Sequence, residues 1–147
     1  NGSNGARLIG ANGGDNTGIS VASAGDFNAD GQDDLAIGYH LDNVFGQANS
    51  GNVAVLYAGP TGLQIAGAQL WNGFFLLSVE VGDELGFALA AGRFAGGGGA
   101  DLAIGVPGRD NDNAEVEAGG VLIVRSQNIF SDGFESGTTG AWSAVVN

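Results

Sequence analysis

Apolar residues along this chain fall in short runs broken by Gly, Asn and Asp. "ISVASAG" (19–25), "DLAIGY" (34–39) and "NVAVLYAG" (52–59) come first, and "FALAAG" (87–92), "DLAIGV" (101–106) and "GVLIVRS" (120–126) follow. Runs of this length, bounded by turn-forming residues, predict strands. "AQLWNG" (68–73) and "FFLLSVEV" (74–81) are further strand candidates between the two groups. Strict in–out alternation is weak, since Val53, Ala54, Val55, Leu56 and Tyr57 follow one another without a polar break. A strand of that kind is covered on both faces. The 29 glycines leave no room for long helices, so the pattern predicts an all-β fold.

The pattern also repeats. "GISVASAGDFNADGQDDLAIGY" (18–39) aligns with "GFALAAGRFAGGGGADLAIGV" (86–106), with one residue deleted in the loop of the second copy. Upstream, "GGDNTG" (13–18) matches "VGDELG" (81–86), and downstream "SGNVAVLY" (50–57) matches "AGGVLIVR" (118–125). The period is about 67 residues. Each unit reads as strand, loop, strand, longer loop, strand. Small residues such as Ala22, Ala24, Ala88, Ala90 and Ala91 let a neighbouring sheet approach closely. Repeated sheets of this kind describe a β-propeller or a β-stack.

The order Gly18, Ser20-Val21, Gly25-Asp26-Phe27-Asn28, Asp30-Gly31, Asp33-Asp34-Leu35-Ala36-Ile37-Gly38 closely resembles the FG-GAP repeat of α-integrin propellers. Leu85-Gly86 and Gly105-Val106-Pro107 stand where that family has its Phe-Gly and Gly-Ala-Pro signatures. Unit one has Thr17-Gly18 and Gly38-Tyr39-His40 there, a departure at both ends. The resemblance spans about residues 13–125. It implies four-stranded blades, an extracellular location, calcium in the loops and adhesive or scaffolding roles. The expected architecture is two integrin-like, four-stranded blades, about 1–66 and 67–127, stacked face to face and completed by oligomerisation.

"DFNADGQDD" (26–34) carries the candidate chemistry. Asp26, Asn28, Asp30 and Asp34 stand at positions 1, 3, 5 and 9 of a nine-residue loop. Gln32, at position 7, offers its backbone carbonyl, and Gly31 permits a sharp turn. Such an irregular oxygen set suits Ca2+; Mg2+ demands a stricter octahedron and comes second. Zinc lacks its ligands, with no Cys and a single His. An EF-hand needs an acid at position 12, and Ile37 is there, within an apolar strand. The integrin-like loop needs its last acid at position 9, where Asp34 stands. Unit two replaces these ligands: Arg93 stands for Asp26, Ala95 for Asn28 and "GGGG" (96–99) for most of the rest, leaving Asp101 for Asp34. The expectation is that Arg93 pairs with Asp101. "RDNDNAEVE" (109–117) is a second acidic stretch without a shaping glycine, and the lone His40 follows a strand with no nucleophile beside it.

Sixteen acids against four Arg and no Lys give a net charge of −12, which repels nucleic acid and anionic lipid. No apolar run reaches the ~18 residues of a spanning helix, so no membrane insertion is expected. No G-x-S-x-G, nucleotide loop or framed pair of catalytic acids occurs, and no enzyme is expected. The last stretch, "NIFSDGFESGTTGAWSAVV" (128–146), departs from the repeat and resembles a C-terminal stretch of secreted bacterial proteins. Its Phe130, Phe134, Trp142 and Val145 suit packing of the tail, 128–147, on a neighbouring subunit. A propeller closes with four or more blades. Two blades leave two apolar outer faces to be covered, and unlike faces in contact generate a ring or a filament. The reading is therefore a secreted, non-enzymatic, calcium-binding structural protein of a bacterial surface that forms a homo-oligomer or filament. The alternative is an adhesion module for a glycan or protein ligand, part of a larger integrin-like propeller.

Overall fold

The structure, a computed structural model, describes residues 5, 7–73, 80–94, 99–110 and 117–126. Among the described residues, seven strands form two antiparallel sheets. The first contains β1 (Ser20–Gly25), β2 (Asp34–Tyr39), β3 (Asn52–Tyr57) and β4 (Gln64–Asn72), paired in chain order. The second contains β5 (Leu89–Gly92), β6 (Asp101–Val106) and β7 (Gly120–Arg125), again in chain order. Where a fourth strand of the second sheet would follow Ser126, the chain lies outside the described residues. So do Phe74–Val79 of the candidate strand "FFLLSVEV", the whole tail and most of the 109–117 stretch. Among the described residues no helix is long and apolar enough to cross a membrane.

Antiparallel pairing sorts each unit into two faces, because successive side chains of a strand point oppositely. In the first sheet Ala36 faces Val55 and Gly38 faces Val53 across the β2–β3 ladder, while Leu35 faces Leu56 and Ile37 faces Ala54. In the second sheet Ala103 faces Ile123 and Gly105 faces Val121, while Leu102 faces Val124 and Ile104 faces Leu122. Each unit thus has a face centred on Ala and Gly, and a face centred on Leu and Ile. The one-residue difference between the copies is not in the loop. It lies at a bulge in β1, where the register slips between Ser23 and Gly25. A bulge inserts one unpaired residue and bends the strand, and the ladder of β5 with β6 runs without a slip. The loops 26–34 and 93–101 are therefore equal in length.

One apolar cluster draws on both sheets. It holds Ala24, Phe27, Ala36, Val53 and Val55 from the first unit with Leu85, Leu102, Ile104, Val106 and Val124 from the second. Val53, Val55, Leu102 and Ile104 are all fully buried, at 0% exposure. Phe27 meets Trp71 edge to face at 6.3 Å, closing the cluster at the loop end. At the other end the chain between the sheets is stitched to the first unit by amides. Gly82, Glu84 and Leu85 donate to the carbonyls of Ala48, Asn49 and Ser50 at 2.9, 3.0 and 3.1 Å. Ser20 Oγ adds a 2.6 Å bond to the Gly86 carbonyl, which rests over Gly38, where any Cβ would collide with it.

The expectation that β3 is covered on both faces holds, with Asn52–Leu56 all buried. Its Ala54 and Leu56 join Ile37 in a second apolar cluster on the other face, flanked by Leu35, Tyr39 and Ala68. The matching strand β7 is covered on one face only: Val124 is buried, but Val121 and Ile123 are exposed.

Candidate functional site

The loop between β1 and β2 is built from its own side chains. Asn28 Oδ1 accepts the Asp30 amide at 3.0 Å, and Asp30 Oδ1 accepts the Gln32 amide at 2.9 Å. Asp26 Oδ2 accepts the Gly31 amide at 3.1 Å. Short polar side chains capping the amide a few residues on fold the backbone into tight turns. Gly31 sits at φ +88°, which glycine adopts without steric cost, and Ala29 at φ +63° carries strain beside it. Asn28 Nδ2 also donates to Asp30 Oδ2 at 3.0 Å. Asp33 is exposed.

Asp34 behaves differently from its neighbours. It is 2% exposed, and both its oxygens are engaged by backbone amides. Oδ2 accepts Phe27 at 3.0 Å and Asn28 at 3.3 Å, and Oδ1 accepts Ala58, just beyond β3, at 2.9 Å. One carboxylate thus ties the start of the loop and the end of β3 to the first residue of β2. Asp26 Oδ1 is a buried oxygen of this loop with no hydrogen-bond partner. Among the described residues no three acidic or histidine side chains already form a tight metal cluster. Of the five residues read from the sequence, Asp26, Asn28, Asp30 and Gln32 lie on the loop and Asp34 opens β2; Asp26, Asn28 and Gln32 are half-buried and Asp30 is exposed.

Residues 17–56 match the family of the FG-GAP repeat. This stretch of the first unit is similar to an FG-GAP repeat. Its bounds run from just before β1 to the penultimate residue of β3, so the repeat takes in the loop and both strands that hold it. No curated protein matches the chain.

In the second unit the sequence of loop 93–101 lacks the oxygen side chains that Asp26, Asn28 and Asp30 supply in the first, but Asp101 keeps the latch. Asp101 is 2% exposed and its Oδ2 accepts the Phe94 amide at 2.8 Å. This repeats the bond of Asp34 to Phe27, seven residues back in each case. Arg93 is exposed and forms no ion pair with Asp101. The expected charge replacement is therefore absent, because the Asp101 carboxylate turns inward to the backbone.

Among the described residues Arg109 forms ion pairs in this region, which sequence reasoning missed. Its guanidinium lies 3.5 Å from both Glu80 and Asp83. Burial pushes the Asp83 carboxyl above its ordinary range, and repulsion from Glu80 adds to this, while the Glu80 amide and Arg109 oppose it. His40 is buried against Phe87, ring centroids 5.2 Å apart and edge to face, as a structural residue would be. Of the 109–117 stretch, the described part shows Asp110 Oδ1 accepting the Glu117 amide at 2.7 Å.

Proposed function

We propose that this protein is a secreted, non-enzymatic structural module of a bacterial surface that binds calcium through its FG-GAP loop and self-assembles through propeller-like blades. The observation that carries the assembly reading is the distribution of apolar surface. One face of each sheet contributes to a shared core, and the opposite face of each remains partly open, with Leu70 at 55% and Val121 at 71% exposure. Exposed apolar residues on both ends of a two-blade unit favour association, since burial contributes about 25 cal/mol per Å2. The net charge of −12 opposes it and keeps the isolated chain soluble.

The calcium reading rests on Asp26 Oδ1, a buried carboxylate oxygen with no partner in a loop rich in oxygen donors. Asp26, Asn28 and Asp30 side chains, the Gln32 carbonyl and a remaining lone pair of Asp34 are the groups that would hold the ion. The ion would neutralise carboxylates that otherwise repel within one turn. Sedimentation of the full chain in calcium and in EDTA tests the whole. Rings or fibres at micromolar concentration in calcium are expected. A monomer in both conditions would sink the assembly reading, and would leave a binding module within a larger propeller as the reading to pursue.

A further inference from the structure

Superposing the roles of the two units gives the two open faces a specific fit. Ala36 and Gly38 of β2 correspond to Ala103 and Gly105 of β6, and Val53 and Val55 of β3 correspond to Val121 and Ile123 of β7. Inside the chain, the Ala/Gly face of unit one meets the Leu/Ile face of unit two. What stays open is the complementary half on each side: the Leu/Ile face of unit one and the Ala/Gly face of unit two. Val53 and Val55 are 0% exposed, whereas their counterparts Val121 and Ile123 are 71% and 41% exposed.

The connecting loops repeat the same division. Gly82, Glu84 and Leu85 donate their amides to Ala48, Asn49 and Ser50. Their counterparts in unit one, Gly14, Asn16 and Thr17, are exposed. They already hold the docking conformation: φ is +53° at Asn16 against +54° at Glu84, and +91° at Gly18 against +92° at Gly86. The receiving side is repeated as well, with Glu117 at +54° and Gly119 at +73° matching Asn49 at +54° and Gly51 at +82°. Each chain therefore carries the donor half of the joint at one end and the acceptor half at the other.

We infer that a second copy of this chain docks head to tail, so that the joint between copies repeats the joint within one. Residues 13–18 of the second copy lie on the 117–119 loop of the first. The Leu/Ile face of the second copy covers Val121 and Ile123 of the first. The surfaces suit this. On the Leu/Ile face of unit one, a groove of about 310 Å3 lined by Ile9, Ile37, Leu56, Ile65 and Leu70 receives the projecting valine and isoleucine. On unit two, a shallow groove beside Gly105, Phe87 and Val121 lies where the Gly18 carbonyl would land, as Gly86 lands on Gly38. This inference rests on the self-assembly reading and adds its register. The contact is heterologous, so it propagates into a ring or a filament.

Three variants of the full chain, followed by sedimentation in calcium, test it. Val121→Asp and Leu70→Asp each place a charge on one open face, at a position exposed in the single chain. A buried, unpaired charge weakens a contact at least about a hundredfold, so each alone is expected to be monomeric. Each keeps one intact half, so an equimolar mixture is expected to give a heterodimer and nothing larger. Gly105→Ala tests the close approach: within one chain the atoms nearest its Cβ belong to Ala88, the closest at 3.4 Å, so the melting temperature is expected to hold while assembly weakens at least about tenfold. Wild-type assembly with variants that assemble equally well, or a mixture that stays monomeric, overturns the register alone. A monomeric wild type overturns the self-assembly reading and this inference with it.

Discussion

Replacing Asp34 by Ala separates a metal ligand from a structural latch. The side chain is 2% exposed and accepts three backbone amides, at 2.9 to 3.3 Å. Hydrogen bonds to a charged group contribute about 1.5–3 kcal/mol each, and buried donors left unpaired carry a desolvation cost of about 1–3 kcal/mol. The Asn28 bond is long and partly exposed, so a total of about 3–6 kcal/mol is expected. For a chain of this size that is a fall on the order of 10 °C in melting temperature. The decisive condition is EDTA. A residue that served only as a calcium ligand would cost nothing once the ion was removed, whereas the latch is lost with or without it. Asp34→Asn, which keeps one acceptor oxygen, is expected to lose about half as much. Thermal unfolding followed by circular dichroism in excess EDTA reads the difference directly, with Asp30→Ala as the comparison because Asp30 is exposed and bonds only within the turn. If Asp34→Ala and Asp30→Ala melt together in EDTA, the latch argument fails.

Calorimetry is expected to find one calcium site per chain, weak at about 10⁻⁴ to 10⁻³ M as in extracellular modules, and abolished in Asp30→Ala; two equal sites would contradict the asymmetry of the loops. Chelation is expected to lower stability by about 2.7 kcal/mol relative to a hundredfold excess of calcium over its dissociation constant, and a melting temperature unmoved by EDTA would count against a stabilising ion. Burial, with Asp42 and Asp15 nearby, pushes the Tyr39 hydroxyl up to about 12. The unfolded tyrosine ionises near its ordinary 10.0, so the folded state holds its proton longer and stability falls as pH rises from about 10 to about 12. Tyr39→Phe is expected to remove that alkaline loss; an unchanged alkaline melting profile would rule Tyr39 out as its source.

Much of the fold was legible because length and punctuation decide it. "DLAIGY" and "DLAIGV" became β2 and β6 without adjustment, and the other strands expected in the repeats end within two residues of their runs. β4 was read four residues too short at its start. "QIAG" carries a polar residue and a glycine, and Gln64–Gly67 are exposed in the fold, so no buried pattern marks them. The candidate loop was legible from spacing alone, since alternation of oxygen side chains about a glycine survives without coordinates. The role of Asp34 was not. A carboxylate aimed at a cation and one aimed at an amide 24 residues away look alike in sequence. One signal was available: Asp101 stands in a loop that lacks the other oxygen side chains of the first loop. A residue kept where its supposed chemistry is lost serves something else, here the amide seven residues upstream.

That separation yields a last prediction. If the latch holds the backbone of both loops, and the ligands are added on top of it, then the second loop needs only side chains to gain a site. The two loops are equal in length, because the extra residue of unit one sits in the β1 bulge. Arg93→Asp, Ala95→Asn and Gly97→Asp together with the native Asp101 would restore positions 1, 3, 5 and 9. The triple variant is expected to bind two calcium ions where the parent binds one, the new site surviving when Asp30→Ala removes the first. In EDTA it is expected to be less stable than the parent, because two new carboxylates then stand beside Asp101 without an ion to neutralise them. Binding that stays at one ion, with the fold intact by circular dichroism, would show that the equivalence of the two loops ends at the latch, and that the shape of the first loop depends on more than its ligand positions.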